Sequence, residues 1–261
     1  MKTNIYQDMK NVIVYLLVFV GIQLCVTSGI QKIWQLIAGN GDITANMLIV
    51  SMSAAAAITL VVFIFAGWCK IDRSYMRSSP WGVLFWCFIA AAGAVIPSAW
   101  LQEQLPELPN VMLPEFTMIM RSPWGYLAVG LLAPVVEEIV FRGAVLKSLL
   151  KAFRGHWAAI AVSSVLFAIV HGNPAQMPHA FIVGLLLGWM YWRTGSIVPG
   201  VAYHWVNNTI AYILCNIMPD PDIPLIVLFN GSNTRVILAV VFSLCLLLPA
   251  LFQLNMRLKR I

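Results

Sequence analysis

Long apolar stretches alternate along the chain with short charged or Pro/Gly-rich breaks, a pattern that predicts membrane-spanning helices. A helix needs about 20 mostly apolar residues to cross the hydrocarbon core of a bilayer. Eight stretches approach that length, at roughly 11–30, 47–69, 81–101, 123–141 with helix continuing to about 153, 157–172, 178–192, 198–216 and 236–254. The predicted fold is therefore all-α, a polytopic membrane protein built as a bundle of about eight helices.

Composition supports this class. Of the 261 residues, 61% are hydrophobic and only 10% are charged, against about 25% charged in a typical soluble domain. This balance excludes a soluble enzyme, a disordered protein and a nucleic-acid binder. The five cysteines are odd in number, lie in or at the ends of apolar stretches and form no Cys-x-x-Cys pair, so packing is the predicted role rather than a disulfide framework or zinc ribbon.

The basic residues predict an orientation. With the N-terminus in the cytoplasm, only Lys32, Arg121 and Arg235 fall on the opposite side. The cytoplasmic side then holds Lys2, Lys10, Lys70, Arg73, Arg77, Arg142, Lys147, Lys151, Arg154, Arg193, Arg257, Lys259 and Arg260. This asymmetry follows the positive-inside rule. It predicts a multi-pass protein of the inner or plasma membrane with both termini cytoplasmic, and the excess charge suits anionic lipid headgroups, with no need for nucleic acid.

The chain divides into four predicted parts. Residues 1–104 form a scaffold of three helices, whose first stretch is long, lacks a convincing cleavage site and is predicted to be retained. The Pro-rich region 105–122 is an external loop, and its segment 105–114 is predicted to be extended. Residues 123–216 form a functional core, because ionisable side chains within the apolar stretches occur almost only there. Residues 217–261 form an external loop and the last helix.

Two adjacent glutamates in the fourth stretch indicate chemistry, because ionisable groups inside a membrane are expensive and usually face a bundle interior or a cavity. Adjacent helical positions are about 100° apart, so Glu137 and Glu138 need different partners. Glu138 and Arg142 are four residues apart and predict an architectural ion pair. Glu137 is left as the group that faces a cavity.

Three further polar residues are predicted to join Glu137. His171 ends the fifth stretch, and His204 and Asn208 lie four residues apart on one face of the seventh. A helical hairpin turning at 154–156, with arms of about 16 residues, brings Glu137 and His171 to a common depth near the middle of the bilayer.

A carboxylate, two imidazoles and a carboxamide suit hydrolysis. Glu137 is the predicted general base on a water molecule, and the His and Asn groups hold that water or the developing oxyanion. Alternatively, Glu137, His171 and His204 hold a zinc ion whose bound water is the nucleophile. No His-Glu-x-x-His motif supports zinc, so both readings stay open.

Other polar and small residues have plainer interpretations. A single membrane histidine is often only a hydrogen-bonding group between helices. Structural or interfacial roles are predicted for His156, at the basic turn, and for His179, at the start of the sixth stretch. Asn207 is predicted to be a polar contact, and Gly184 with Gly188 to form a small face that lets helices approach closely.

Three segments together resemble a known family. Glu137-Glu138-x-x-x-Arg142, Phe167-x-x-x-His171 and His204-x-x-x-Asn208 resemble the three motifs of the CAAX-protease and bacteriocin-processing (CPBP, or Abi) intramembrane endopeptidases. Phe141-Arg142-Gly143 and the run 163–171 extend the first two motifs. The resemblance covers roughly residues 120–216 and is specific because the three motifs occur in the family's order, each within an apolar stretch.

The resemblance implies a helical membrane protease in which Glu137 activates water, His171, His204 and Asn208 complete the site, and Glu138 and Arg142 support its geometry. The family is labelled metalloprotease, with the role of a metal unsettled. Eukaryotic members trim prenylated CAAX proteins, whereas the short tails here suggest a bacterial member. The implied partner is a membrane-associated or lipid-anchored peptide or protein. The alternative is a non-enzymatic membrane protein, either a proton-coupled transporter or a bacteriocin-immunity or scaffold protein, since buried Glu and His also build proton relays.

Overall fold

A computed structural model describes residues 5–39, 41–69, 74–220 and 223–259. In these ranges the chain is all-helical, which confirms the predicted fold class. The helices are α1 Ile5–Ala38, α2 Ala45–Phe65, α3 Ser74–Arg77, α4 Trp81–Glu103, α5 Leu113–Met120, α6 spanning 126–152, α7 His156–Ile169, α8 Met177–Thr194, α9 Val198–Ile217, α10 Leu225–Leu228 and α11 Asn233–Arg257, with a short 3₁₀ turn at Pro174–Gln176 before α8.

The eight predicted stretches correspond to α1, α2, α4, α6, α7, α8, α9 and α11, with the ends shifted by several residues in α1. Four of these helices, α1, α2, α4 and α11, are each long and apolar enough to cross a membrane, and α7 is a shorter apolar helix. Lys2, Lys70, Arg73 and Arg260, which were used to predict orientation, lie outside the described residues.

Helix α6 is not the regular α-helix that the sequence predicted. Two π-helical segments, Tyr126–Leu132 and Glu138–Leu146, flank an α-helical turn at Ala133–Glu137, and Lys147–Ala152 is α-helical again. Pro134 lies at the start of the central turn and has no N–H to donate to the preceding turn. Glu137 and Glu138 therefore lie at a junction between two helix types, and such π turns are frequent at functional sites.

Both predicted external loops contain a helix that the sequence pattern did not predict, α5 in the first and the short α10 in the second. Within the predicted loop 105–122, residues Leu113–Met120 form α5, whose first turn holds Pro114 and Glu115. Both suit a helix start, because proline lacks the N–H that would be unsatisfied there and a carboxylate complements the helix dipole. The prediction that 105–114 is wholly extended is thus wrong at its last two residues.

Close helix packing depends on small residues. A Cβ on Gly93 of α4 would lie 2.7 Å from the backbone nitrogen of Leu247 in α11. In α8, a Cβ on Gly184 would lie 3.0 Å from the Cβ of Ser164, and one on Gly188 would lie 2.9 Å from Ile160. The predicted small face of Gly184 and Gly188 is confirmed, and it brings α8 directly against α7.

Hydrogen bonds group the ends of the helices into two sets. At one end Arg121 donates to the carbonyl groups of Met218 and Pro219, and Glu103 accepts from the N–H of Leu225. At the other end Arg193 donates to the carbonyl group of Leu258 and to Asn255. These sets agree with the predicted threading, and which compartment each set faces stays a prediction.

Replacing Gly93 by leucine is expected to lower the free energy of unfolding by about 1–3 kcal/mol, because the new side chain would meet α11 backbone that cannot move independently. Thermal unfolding of the purified protein in detergent measures the effect. Gly82→Ala is the matched control, because its Cβ would make only an ordinary 3.8 Å contact with Arg257. Equal midpoints for the two variants would contradict the tight α4–α11 contact.

Candidate active site

A fully buried ion pair lies at the centre of the bundle. Nη1 of Arg142 donates to Oε1 of Glu138 at 2.7 Å, and the two side chains are 1% and 0% exposed. Nη2 of Arg142 donates to the carbonyl oxygen of Gly184 at 3.2 Å, and the guanidinium lies 4.5 Å from the centre of the Phe167 ring. The pairing predicted from the four-residue spacing is confirmed. Because Arg142 is buried, it is not one of the charges that meet lipid headgroups.

His204 lies between the two glutamates. Its Nδ1 is 3.3 Å from Oε1 of Glu138, and its Nε2 is 3.6 Å from Oε2 of Glu137. α9 thus places His204 beside Glu137, the residue that it was predicted to join. The contact of the same imidazole with Glu138 was not predicted, since nothing in the spacing within α6 tells which residue of α9 faces that carboxylate.

Glu137 combines its contact with His204 with unused hydrogen-bonding capacity. Its side chain is 22% exposed, unlike that of Glu138. Within the described part of the chain, its buried Oε2 has no hydrogen-bond partner. A carboxylate oxygen without a donor in a confined polar site is suited to binding a water molecule.

A glycine makes room for the network on α9. A Cβ on Gly200 would lie 2.5 Å from Oε2 of Glu138, closer than any side chain could approach without displacing that carboxylate. Glu138 thus fits against bare backbone of α9, one turn before His204. This residue was not predicted, although a glycine four positions before the histidine was the available signal.

The predicted hairpin of α6 and α7 forms as expected. Its turn lies between Ala152 and His156, and Ser163 of α7 donates to the carbonyl oxygen of Phe141 in α6. The ring of Phe167 packs edge-on against both His171, with centroids 4.8 Å apart, and His204, at 5.9 Å. The two histidines and the Arg142 guanidinium therefore all pack against the Phe167 ring.

His171 is oriented by its own helix. Its Nδ1 lies 2.7 Å from the carbonyl oxygen of Phe167. Because a carbonyl can only accept, Nδ1 carries the proton in this hydrogen bond and Nε2 is left as the basic nitrogen. The imidazole can therefore accept a hydrogen bond at Nε2 from a group outside its own helix.

His179 and Asn207 were assigned plainer roles from the sequence, but the structure brings them to the same site. The side chains of His179 and Asn207 lie within interaction distance of each other, and His179 lies within electrostatic range of His171 and His204. The position of His179, eight residues after His171 across a short turn, was the only signal. His156, by contrast, stacks on the Trp192 ring at 3.8 Å next to the α6–α7 turn. This contact agrees with the first part of its predicted structural or interfacial role.

Asn208 is held by α6 and by its neighbour. Its Nδ2 donates to the carbonyl oxygen of Val129 at 3.0 Å, and its Oδ1 accepts from Nδ2 of Asn207 at 3.2 Å. Val129 belongs to the first π segment, so Asn208 satisfies a backbone acceptor there and ties α9 to α6. Its predicted direct role in catalysis stays a prediction.

The arrangement was tested against the predicted zinc ligands Glu137, His171 and His204. Among the described residues, no group of three or more His, Cys, Asp or Glu side chains is placed so that it could hold a metal ion. A catalytic zinc site needs three protein ligands around one point. The donor set as arranged does not fit zinc, and no chemical step is derived through it.

Comparison with known proteins identifies the class of this region. Residues 120–210 match the family model described as "Type II CAAX prenyl endopeptidase Rce1-like". The matched segment contains all three motifs, so the resemblance to the CAAX-protease family predicted from them is confirmed for this region.

Two curated bacterial proteins are similar over part of their length. "Putative membrane peptidase YdiL" of Bacillus subtilis (strain 168) is 27% identical over 97 residues, which is 37% of this chain and 39% of that protein. "Membrane-embedded CAAX protease MroQ" of Staphylococcus aureus (strain USA300) is 23% identical over 147 residues, 54% of this chain and 60% of that protein. The chain thus aligns with less than two thirds of either relative. No solved structure matches it.

Removing the buried guanidinium is expected to destabilise the protein strongly. Arg142→Met leaves the Glu138 carboxylate buried without its cation, at a cost of about 3–5 kcal/mol. The measurement is thermal unfolding with size-exclusion chromatography, and Arg235→Met, at an exposed position in α11, is the control. Indistinguishable stabilities of the two variants would show that the pair is not structurally required.

Proposed function

We propose that this protein is an intramembrane endopeptidase that hydrolyses a peptide bond of a membrane-associated or lipid-anchored substrate with a water molecule activated by Glu137. The observation that carries the proposal is the Glu137 carboxylate, partly exposed, with an Oε2 atom that has no hydrogen-bond partner in the described chain. The match of residues 120–210 to CAAX prenyl endopeptidases supports the reaction class.

In the proposed mechanism Glu137 accepts a proton from water as the hydroxide attacks the scissile carbonyl carbon, and it returns that proton to the leaving amine. His204, 3.6 Å away, holds the carboxylate in position. Glu138 and Arg142 are positioning residues, because Glu138 fixes the other nitrogen of the same imidazole.

The remaining polar side chains supply contacts for the tetrahedral intermediate. His171 and His179 lie in the same region as His204, and their ring nitrogens are suited to orient the water or to stabilise the oxyanion. Asn207 bridges His179 and Asn208. We propose that this bridge sets the orientation of the His179 ring.

Glu137→Gln is expected to lower the cleavage rate by roughly a thousandfold while leaving a folded protein, because the amide cannot accept the proton but keeps the shape. Mass spectrometry of membrane peptides from cells that carry either form measures cleavage and identifies substrates. Glu115→Gln, in α5 away from the site, is the matched control. Peptides that accumulate equally in cells with the active and the Glu137→Gln protein would overturn the assignment of the base.

The proposed mechanism needs no metal, so treatment with a zinc chelator is expected to leave the cleavage rate unchanged within twofold. Elemental analysis of the purified protein should then find less than one zinc per ten chains. Loss of activity on chelation, restored by adding zinc, would return the alternative in which the Glu and His side chains bind a catalytic ion.

A further inference from the structure

A second feature, separate from the polar site, is an elongated apolar groove of about 670 Å³ between α6 and α9. One wall is a stripe of five residues on α6, Leu131, Val135, Ile139, Gly143 and Lys147. Its first and last residues are 16 positions apart, so the stripe is at most about 24 Å long. The groove is thus long and narrow, a shape suited to a hydrocarbon chain.

The stripe runs through both helix types of α6, from the first π-helical segment to the start of the last α-helical part. Its members are four positions apart, and in a regular α-helix residues at that spacing turn steadily away from one another. The wider i→i+5 turns of the π-helical segments counter this drift. The part of α6 that carries Glu137 and Glu138 therefore also forms one wall of the groove.

The opposite wall comes from α9 and the turn before it. This side is lined by Val198, Val201, Ala202 and Trp205. Gly200 and His204 lie on a different face of α9. None of the glutamates or histidines of the candidate active site is among the described residues that line the groove.

A single cation marks one end. Lys147 is the only charged group among the described lining residues, and in the described chain no carboxylate lies within ion-pair distance of it. The lining residues Gly195 and Ser196 follow α8 at the end of the bundle where Arg193 bonds to Leu258. The cation therefore lies at the predicted cytoplasmic level, where anionic headgroups attract lysine.

We propose that this groove binds an anionic phospholipid, with one acyl chain along the α6 stripe and the phosphate at Lys147. The apolar lining would contact the acyl chain along its length. The lysine would discriminate between headgroups. The lipid packs against both helices that carry the glutamates and His204, and binding it requires no proteolysis.

The test is native mass spectrometry of the full-length protein released from nanodiscs that contain equal amounts of phosphatidylglycerol and phosphatidylcholine with identical acyl chains. The wild-type protein should retain one lipid, with phosphatidylglycerol in excess. Lys147→Gln should lower that preference about fivefold, since one lysine near an anionic headgroup contributes about 1 kcal/mol. Lys151→Gln, one turn further along α6 and outside the groove, is the control and should keep the preference.

Two variants block the groove from different helices. Val201→Phe in α9 and Leu84→Phe in α4, both at lining positions, should each abolish the retained lipid of either headgroup. Ile213→Phe, at an exposed position of α9, is the control, and unfolding midpoints show that all three proteins are folded. A lipid retained by both blocked variants, or an unchanged headgroup preference in Lys147→Gln, would overturn the proposal.

Glu137→Gln separates this proposal from the proposed function. The variant should retain phosphatidylglycerol as the wild-type protein does, because Glu137 does not line the groove. Lipid binding with no cleavage by the wild-type protein would leave the groove in place and remove only the protease. Displacement of the phospholipid by a lipid-anchored peptide at equal concentration would instead assign the groove to a substrate anchor and count against the phospholipid.

Discussion

A buried arginine between two helices is the interaction on which the rest of this structure depends. Arg142 is among the largest fully buried side chains, and burying a guanidinium is favourable only if its charge and its donors are matched. Glu138 pairs with the charge, Gly184 of α8 accepts a hydrogen bond, and the Phe167 ring covers one face of the guanidinium, while Nε has no hydrogen-bond partner among the described residues. These three contacts draw α6, α7 and α8 together, and His204 adds α9.

The two glutamates have the same charge but different environments. Glu138 is buried against Arg142, His204 and the backbone at Gly200. Glu137 contacts the same histidine but is partly exposed. Glu138 thus positions the His204 imidazole, while Glu137 stays accessible to solvent or substrate. Pairs of titratable groups in such unlike surroundings are typical of acid and base chemistry.

The fold was largely predictable, because an apolar stretch of about 20 residues has the length of a helix that crosses the hydrocarbon core of a bilayer. The Glu138–Arg142 pair and the α6–α7 hairpin were also predictable, since both follow from helical spacing and a single basic turn. The contact between Glu138 and His204 was not predicted, because it joins residues of two different helices that are 66 positions apart in the chain. His179 was missed for the same reason: a lone histidine at a helix start gives no sign of what faces it.

The alternation of π and α turns in α6 has a consequence for how its sequence should be read. In a regular helix each residue is rotated about the axis by a fixed angle relative to the one before it. The spacing in a motif such as Glu-Glu-x-x-x-Arg therefore also specifies which of its side chains share a face. Here the rotation per residue changes three times within 27 residues, between Tyr126 and Ala152. Deleting one residue from the second π segment would leave the composition almost unchanged, yet it would rotate every residue after the deletion relative to those before it. In this helix the number of residues between two polar positions therefore matters as much as their identity.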